Sequence, residues 1–408
     1  MKQFNVPNLY RSSLISSIKQ QRKQQDKLKK DFTPTLLNLG PLHIYLARHF
    51  GFCYGVENAI DIAFTTIDEN PGKRIFLLSE MIHNPQVNAD LVKKGVRFLQ
   101  DTYGKQLIPF DELDANDVVI IPAFGTTLEI ESLLNKKGIA TAKYNTTCPF
   151  VEKVWNRSEQ IAVNGYSIVV HGKPKHEETR ATFSHVSSHT PTVVVSNMSE
   201  TIALAGYITG KKPAQDFYTE FQGRYSAGFD SNLHLQKIGV VNQTTQLASD
   251  TQAISDYLKS VMIRHHGLSP ATIGEHFADT RDTLCYATND NQSAVTSMLE
   301  TAAEMAIVIG GHNSSNSSHL VELCENKLPT YFIDSADRLL NTKEIENRNW
   351  QTKELKTIPN YLPAISPMRI LITSGASCPD AEVEKVIRKL AGFYEVAEKL
   401  DILSAKYQ

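Results

Sequence analysis

From His43 onward, short apolar runs alternate with longer stretches in which apolar and polar positions follow a helical period. The apolar runs are Ile75–Leu78, Val118–Ile121, Ser167–Val170, Thr192–Val195, Ile238–Val241, Ala306–Ile309, Thr330–Ile333 and Arg369–Thr373. Each is rich in Val and Ile and is closed by Gly, Pro, Asn or Ser. Between them lie amphipathic segments such as Val56–Asp68, Leu128–Lys137, Cys148–Val163, Ser249–Ile263 and Ala294–Ala303. Strand-length runs that are apolar throughout, separated by helical patterns, predict parallel sheets covered by helices, and so an α/β chain. Several small α/β units are expected, not one large sheet. Asp216–Gln236 and Lys343–Pro367 lack a clean period and read as insertions. Ser12–Lys30 is polar, with a basic run through Lys19, Arg22, Lys23, Lys27, Lys29 and Lys30. It reads as a solvated helix or a disordered leader, and Asp26 and Asp31 fit a plastid transit peptide poorly.

Composition narrows the classes. The 408 residues correspond to a few domains, and 41% hydrophobic with 21% charged residues is an ordinary globular balance. A formal net charge of -2 leaves no footprint for nucleic acid or an anionic membrane. No apolar run approaches the roughly 20 residues that span a bilayer, and no secretory stretch opens the chain. Five cysteines, a low and odd number, argue against a disulfide framework and for a reducing compartment. The expected location is the cytoplasm, with a plastid stroma as the second choice.

In α/β folds ligands collect outside the carboxyl ends of the strands, so the loops there carry the functional signal. After Ile121 comes Pro-Ala-Phe-Gly-Thr-Thr, and after Val170 His-Gly-Lys-Pro-Lys-His-Glu-Glu-Thr. After Val241 comes Asn-Gln-Thr-Thr. Gly-Gly-His-Asn-Ser-Ser-Asn-Ser-Ser follows Ile309, and Ser-Gly-Ala-Ser-Cys-Pro-Asp follows Thr373. These loops repeat one chemistry: Gly for close approach, and Ser, Thr, Asn and His as donors. Donor-rich loops that run into helices suit a phosphate or diphosphate. The same residue types also cap helices everywhere, which is the plain structural alternative.

Three cysteines share a local setting. Cys53, Cys148 and Cys285 each stand where a loop enters a helical pattern, once per expected unit. The expected division is an N-terminal extension over 1–42, a first unit over 43–147 with Cys53, a second over 148–248 with Cys148, and a third over 249–408 with Cys285. A helix N-terminus lowers a thiol pKa and favours the metal-binding thiolate. No Cys-x-x-Cys, His-Glu-x-x-His, Gly-x-Gly-x-x-Gly or P-loop pattern occurs. The three cysteines are therefore either ligands of one metal centre or unrelated core residues. Cys324 and Cys378 read as core.

Gly51-Phe52-Cys53, Glu80-x-x-His83-Asn84-Pro85, Thr147-Cys148-Pro149, His176-Glu177-Glu178-Thr179, Gln243-Thr244-Thr245, Cys285-Tyr286-Ala287-Thr288, Asn313-Ser314-Ser315-Asn316-Ser317 and Ser374-Gly375-Ala376-Ser377-x-Pro379-Asp380 occur in this order. Together, over about Ile44 to Leu390, they resemble the 4-hydroxy-3-methylbut-2-enyl diphosphate reductases of the non-mevalonate isoprenoid pathway. The resemblance implies three α/β units in a pseudo-threefold cloverleaf around a central 4Fe-4S cluster. It implies Cys53, Cys148 and Cys285 as ligands, with the substrate hydroxyl at the remaining iron. It implies reduced ferredoxin or flavodoxin as electron donor. His83, His176, Ser314, Ser315, Asn316 and Ser377 would bind the diphosphate. Glu178 would be the proton donor, and Thr244 would bond near the hydroxyl and relay the proton. Phe124 stands where many bacterial members have a histidine, as in the plant and cyanobacterial branch, and is expected to form an apolar wall. The diphosphate grip then uses neutral donors and histidines, with no Arg or Lys cluster.

Two other readings of the same residues are a metal-dependent phosphatase or phosphate transferase and a cluster-bearing redox sensor. The first would need clustered hard carboxylate ligands, which the chain does not show; the second would need a partner or nucleic-acid surface.

Overall fold

A computed structural model describes residues 4–28, 30–278 and 283–407. Lys29, part of the basic run, lies outside these. The chain divides into two compact units, Met1–Asp61, Ile82–Asp90 and Tyr286–Gln408 in the first, and Ile62–Met81 and Leu91–Cys285 in the second.

The first unit is built on a five-stranded sheet with the strand order Thr35–Asn38, Leu42–Leu46, Met368–Ser374, Met305–Ile309, Thr330–Ile333. The first pair is antiparallel and the others are parallel. Every side chain of Met305–Ile309 is buried. A parallel strand covered on both faces has no solvent side, which is why it reads as an unbroken apolar run. The register pairs Ile370 with Ile44 and Ile372 with Ile307, so strands from opposite ends of the chain share one core.

The N-terminal segment departs from expectation. Ser13–Gln25 is a helix, but not a solvated one: Leu14, Ile15 and Ile18 are buried in the core of this unit. Positions 14, 15 and 18 lie on one helical face. Three apolar residues among Gln, Lys and Ser are too few to show as a period. Ser12 Oγ caps the helix by accepting the Ile15 N–H at 2.9 Å and itself donates to Glu384. Lys19 pairs with Asp380 at 2.7 Å.

Lys343–Pro367, expected as an insertion, contains an antiparallel hairpin, Glu344–Arg348 with Leu355–Pro359. Within Glu344–Arg348 only Ile345 is buried, so the alternation that marks a strand is missing. Asn347 Oδ1 accepts the Phe332 N–H at 2.7 Å and ties the hairpin to the neighbouring strand Thr330–Ile333. The helix expected over Ala294–Ala303 is instead Tyr286–Met298. Its first turns carry Asn291 and Gln292, both buried, so polar residues fill positions where a helical pattern shows apolar ones.

The second unit holds two parallel sheets. One has the order Arg97–Phe98, Ile75–Leu77, Val118–Ile120, and the other Thr192–Val195, Ser167–His171, Ile238–Asn242, Phe277–Ala278. The helices Pro149–Ala162, Glu177–Ser187, Met198–Ile208 and Ala248–His266 belong to this unit. Asp216–Gln236 is no loose insertion either. Phe217, Phe221 and Phe229 from it are buried, and the Phe217 ring lies 5.1 Å from Phe221 and 5.2 Å from Phe229. Aromatic packing of this kind leaves no helical or strand period. Among the described residues no helix is long and apolar enough to cross a membrane.

Ile15→Ala is expected to destabilise the protein by about 2–5 kcal/mol, the cost of emptying a filled core site. Urea unfolding measures it, and a change within about 0.5 kcal/mol would be the behaviour of a solvated helix.

Candidate active site

In the first unit, three loops leave the carboxyl ends of adjacent parallel strands, where such folds place their ligands. Leu42–Leu46 leads through Cys53 to the helix Tyr54–Glu69. Met368–Ser374 leads through Ser377 to Asp380–Phe393, and Met305–Ile309 through Ser314 to Ser315–Glu325. Ser314 caps its helix, its Oγ accepting the Ser317 N–H at 3.1 Å. Asn316 Oδ1 accepts the Ala376 N–H at 3.0 Å, which locks the second loop to the third. Ser377 Oγ donates to the His83 carbonyl at 3.1 Å, across 294 positions of sequence. His83, Ser314, Ser315, Asn316 and Ser377 thus lie in this one unit, all of them buried, while His176 lies in the second.

Two further features bear on what this group could hold. Asn316 is 4% exposed and its Nδ2 has no hydrogen-bond partner, a donor set aside from water without an acceptor. The helix N-terminus beside it supplies backbone N–H groups and a positive dipole end. The sequence reading gave the loop glycines the task of close approach without singling out Gly311. A Cβ there would run into the His83 carbonyl oxygen, so only glycine lets the two loops meet.

Cys53 stands at the head of Tyr54–Glu69. Its N–H donates to the Ala376 carbonyl at 3.3 Å, and its carbonyl accepts the Glu57 N–H at 2.9 Å. Gly51 turns the chain into it at φ +78, and a side chain there would strike the Asp380 carboxylate. The thiol departs from the expectation of a depressed pKa. Burial pushes it up, and the N–H groups of Val56 and Gly55 pull it back only in part. Cys53 borders a cavity of about 210 Å³ with Lys19, Arg48, Gly51, Tyr286 and Asn291.

The second unit joins Cys285, Thr244, Glu178 and His176 along one hydrogen-bonded path. Cys285 N–H donates to the Thr244 carbonyl at 3.2 Å. Thr244 N–H donates to Glu178 Oε1, and Glu178 N–H donates to His176 Nδ1 at 3.2 Å. His176 is the N-cap of Glu177–Ser187, so this helix start fixes both residues. Glu178 is 1% exposed. Phe124 meets the His176 ring edge-on at 5.7 Å. Cys148 is the N-cap of Pro149–Ala162, and its N–H donates to the Ala123 carbonyl at 2.9 Å. Gln243, quoted above only as part of a motif, organises the loop. Its Oε1 accepts from Lys173 N–H at 3.2 Å, Thr179 Oγ1 at 3.1 Å and Gln246 Nε2 at 3.0 Å.

Cys53 lies in the first unit, and Cys148 and Cys285 in the second. No cysteine is in a disulfide. Among the described residues no three His, Cys, Asp or Glu side chains are grouped as a metal site. The donor chemistry nevertheless fits an iron-sulfur centre: soft thiols, each held by its own backbone at a loop that enters a helix.

A family model described as LytB protein matches residues 44–391. The chain belongs to the LytB family. Among its relatives in this family, the 4-hydroxy-3-methylbut-2-enyl diphosphate reductase of a Picosynechococcus species is 38% identical over 382 residues, 93% of this chain and 89% of that one. The reductase of Gloeobacter violaceus is 35% identical, covering 92% of this chain and 91% of that one. The solved structure of the E-1-hydroxy-2-methyl-but-2-enyl-4-diphosphate reductase from Plasmodium falciparum shares the fold, with a TM-score of 0.61, 22% identity and coverage of 85% and 87%. A solved (E)-4-hydroxy-3-methyl-but-2-enyl diphosphate reductase, titled the terminal enzyme of the non-mevalonate pathway, matches with a TM-score of 0.51 at 25% identity over 86% of this chain and 99% of that one. The span matched to the LytB family includes every candidate residue from Cys53 to Ser377 and leaves out the buried helix Ser13–Gln25.

Gly311→Ala is expected to cost about 1–3 kcal/mol, because the His83 carbonyl must move off its Ser377 partner. Gly392→Ala, with nothing within 4 Å of the new methyl group, serves as the control and is expected to lose nothing. Thermal unfolding of the two variants makes the comparison.

Proposed function

We propose that this chain is a reductase that removes the hydroxyl group of 4-hydroxy-3-methylbut-2-enyl diphosphate. One allylic C–O bond breaks and one C–H bond forms. Two electrons and two protons enter, and isopentenyl or dimethylallyl diphosphate leaves with one water. The observation that carries this reading is the likeness to reductases of that name along more than nine tenths of the chain. The buried, donor-rich group in the first unit and the carboxyl group on the hydrogen-bonded path of the second support it.

Cys53, Cys148 and Cys285 are the residues that would hold a 4Fe-4S cluster. When bound, such a cluster supplies electrons singly and offers an iron without a cysteine ligand as a Lewis acid for the hydroxyl group. The chain's own residues do the rest. The Asn316 amide, the N–H groups at the start of Ser315–Glu325, Ser314, Ser377 and His83 hold the diphosphate, joined by His176. This remote grip aligns the hydroxyl end and converts binding energy into orientation. Glu178 gives the proton that leaves with the hydroxyl oxygen, and Thr244 orients Glu178 through its N–H and relays the proton. Phe124, edge-on to His176, walls the site against water. A reduced ferredoxin or flavodoxin delivers the electrons, in the cytoplasm.

The test is anaerobic purification, absorption and Mössbauer spectra, and a dithionite-driven assay with the named substrate. A 4Fe-4S spectrum that shifts on adding substrate, with C5 diphosphates as products, supports the reading. A colourless protein after careful reconstitution, or no product, removes it. Glu178→Gln is expected to keep the spectrum and substrate binding while turnover falls about 10²–10⁴-fold, the worth of a general acid. His83→Ala is expected to raise KM and leave the spectrum unchanged. Near-normal turnover in the first variant, or a lost spectrum in the second, would contradict the role given.

A further inference from the structure

The phosphate loop has cations beside it that the sequence pattern hid. The hairpin Glu344–Arg348 with Leu355–Pro359 folds so that its turn lies along the helix Ser315–Glu325. Lys353 Nζ donates to Ser318 Oγ at 3.4 Å, one turn beyond the Ser314 cap. The turn is rigidly held. Lys353 takes a left-handed φ of 64, Arg348 Nη1 donates to the Lys353 carbonyl at 2.7 Å, and Asn349 Oδ1 accepts the Gln351 and Thr352 N–H groups at 2.9 and 2.8 Å. A non-glycine residue in this conformation is strained, and Arg348 holds it there.

These charges reach the loop Gly310–Ser314. His312, within it, has its pKa lowered first by burial and then by Arg348 and Lys353, with Asp334 pulling back less. Asp334 is shared: it pairs with Arg338 at 2.8 Å and more loosely with Arg348 at 4.0 Å, and Arg338 also pairs with Glu346 at 2.6 Å. At His312 the two cations outweigh Asp334, beside a helix start whose dipole end is itself positive. Beside it lies the buried Asn316 Nδ2, a donor without an acceptor.

We infer that the hairpin is an electrostatic clamp for the diphosphate, with Lys353 as its positioning cation and Arg348 as the residue that fixes Lys353 against the Ser314–Ser318 turn. This deepens the diphosphate site proposed above and rests on that reading. It adds a cation to a grip otherwise expected to use neutral donors and histidines. The hairpin puts Lys353 in place only after folding, from 39 positions beyond Ser314 in the sequence. The clamp draws a multiply charged anion toward the loop, and its effect is on affinity and its salt dependence, not on the chemical step.

The experiment is calorimetric titration of the purified protein with inorganic pyrophosphate at low and high ionic strength. Wild type, Lys353→Met and Lys353→Arg are compared, and the His312 imidazole is followed by NMR. Lys353→Met is expected to weaken pyrophosphate about 3- to 10-fold at low salt, with the difference shrinking in high salt, as a screened charge several ångströms from the anion requires. Lys353→Arg is expected to restore most of the affinity, and the His312 pKa is expected to rise in the Met variant alone. In turnover, KM rises and kcat holds. Unchanged pyrophosphate affinity in Lys353→Met, with a raised His312 pKa, would overturn the clamp and leave the reductase reading standing. Wild-type protein that binds neither pyrophosphate nor substrate would overturn both.

Discussion

The parallel pairing of three strands is the constraint on which the first unit depends. Leu42–Leu46, Met368–Ser374 and Met305–Ile309 lie side by side. Their backbone ladder places three carboxyl ends, and so three loops, at neighbouring positions along one edge. Cys53 and Ser377 stand on those loops, and Asn316 in the first turn of the helix that the third loop enters, because the ladder puts them there. The bonds between loops, Cys53 N–H to the Ala376 carbonyl and Ala376 N–H to Asn316 Oδ1, then lock them. Ladder register and loop contacts thus make a single device, and a change of either moves the site.

The second unit solves a related problem by a chain of caps. Glu178 is held at a helix start, where its N–H meets the His176 cap and its carboxylate accepts the Thr244 N–H. Thr244 in turn accepts from Cys285. A carboxyl group that is 1% exposed would be costly if it lacked partners, and the path supplies them from backbone groups whose positions the sheet and helix fix. Rigid placement of this kind is what proton transfer at a defined atom demands.

The elements legible from sequence were those with a strong period. The eight apolar runs became strands within one or two residues, and Leu128–Lys137 and Cys148–Val163 became helices nearly as read. What escaped was what folding makes without a period. Ser13–Gln25 buries only Leu14, Ile15 and Ile18, the hairpin buries Ile345 on one of its strands, and Phe217, Phe221 and Phe229 pack as a knot of rings. In each case a few apolar residues do the packing and the polar majority conceals them.

The sequence by itself determined the α/β class and the candidate chemistry, because parallel strands must be apolar along their length and because Cys, His, Glu and Ser carry their reactivity wherever they sit. Only the tertiary structure decided which loops meet. Leu42–Leu46 pairs with a strand more than 300 positions away, Ser377 reaches His83, and Lys353 reaches Ser318. The physical reason is that backbone ladders and side-chain hydrogen bonds act over about 3 Å in space and are blind to distance along the chain. The Cys53 thiol shows the same division. Its place before a helix was legible and foretold a lowered pKa, but the burial that outweighs the helix exists only once the chain has closed around it.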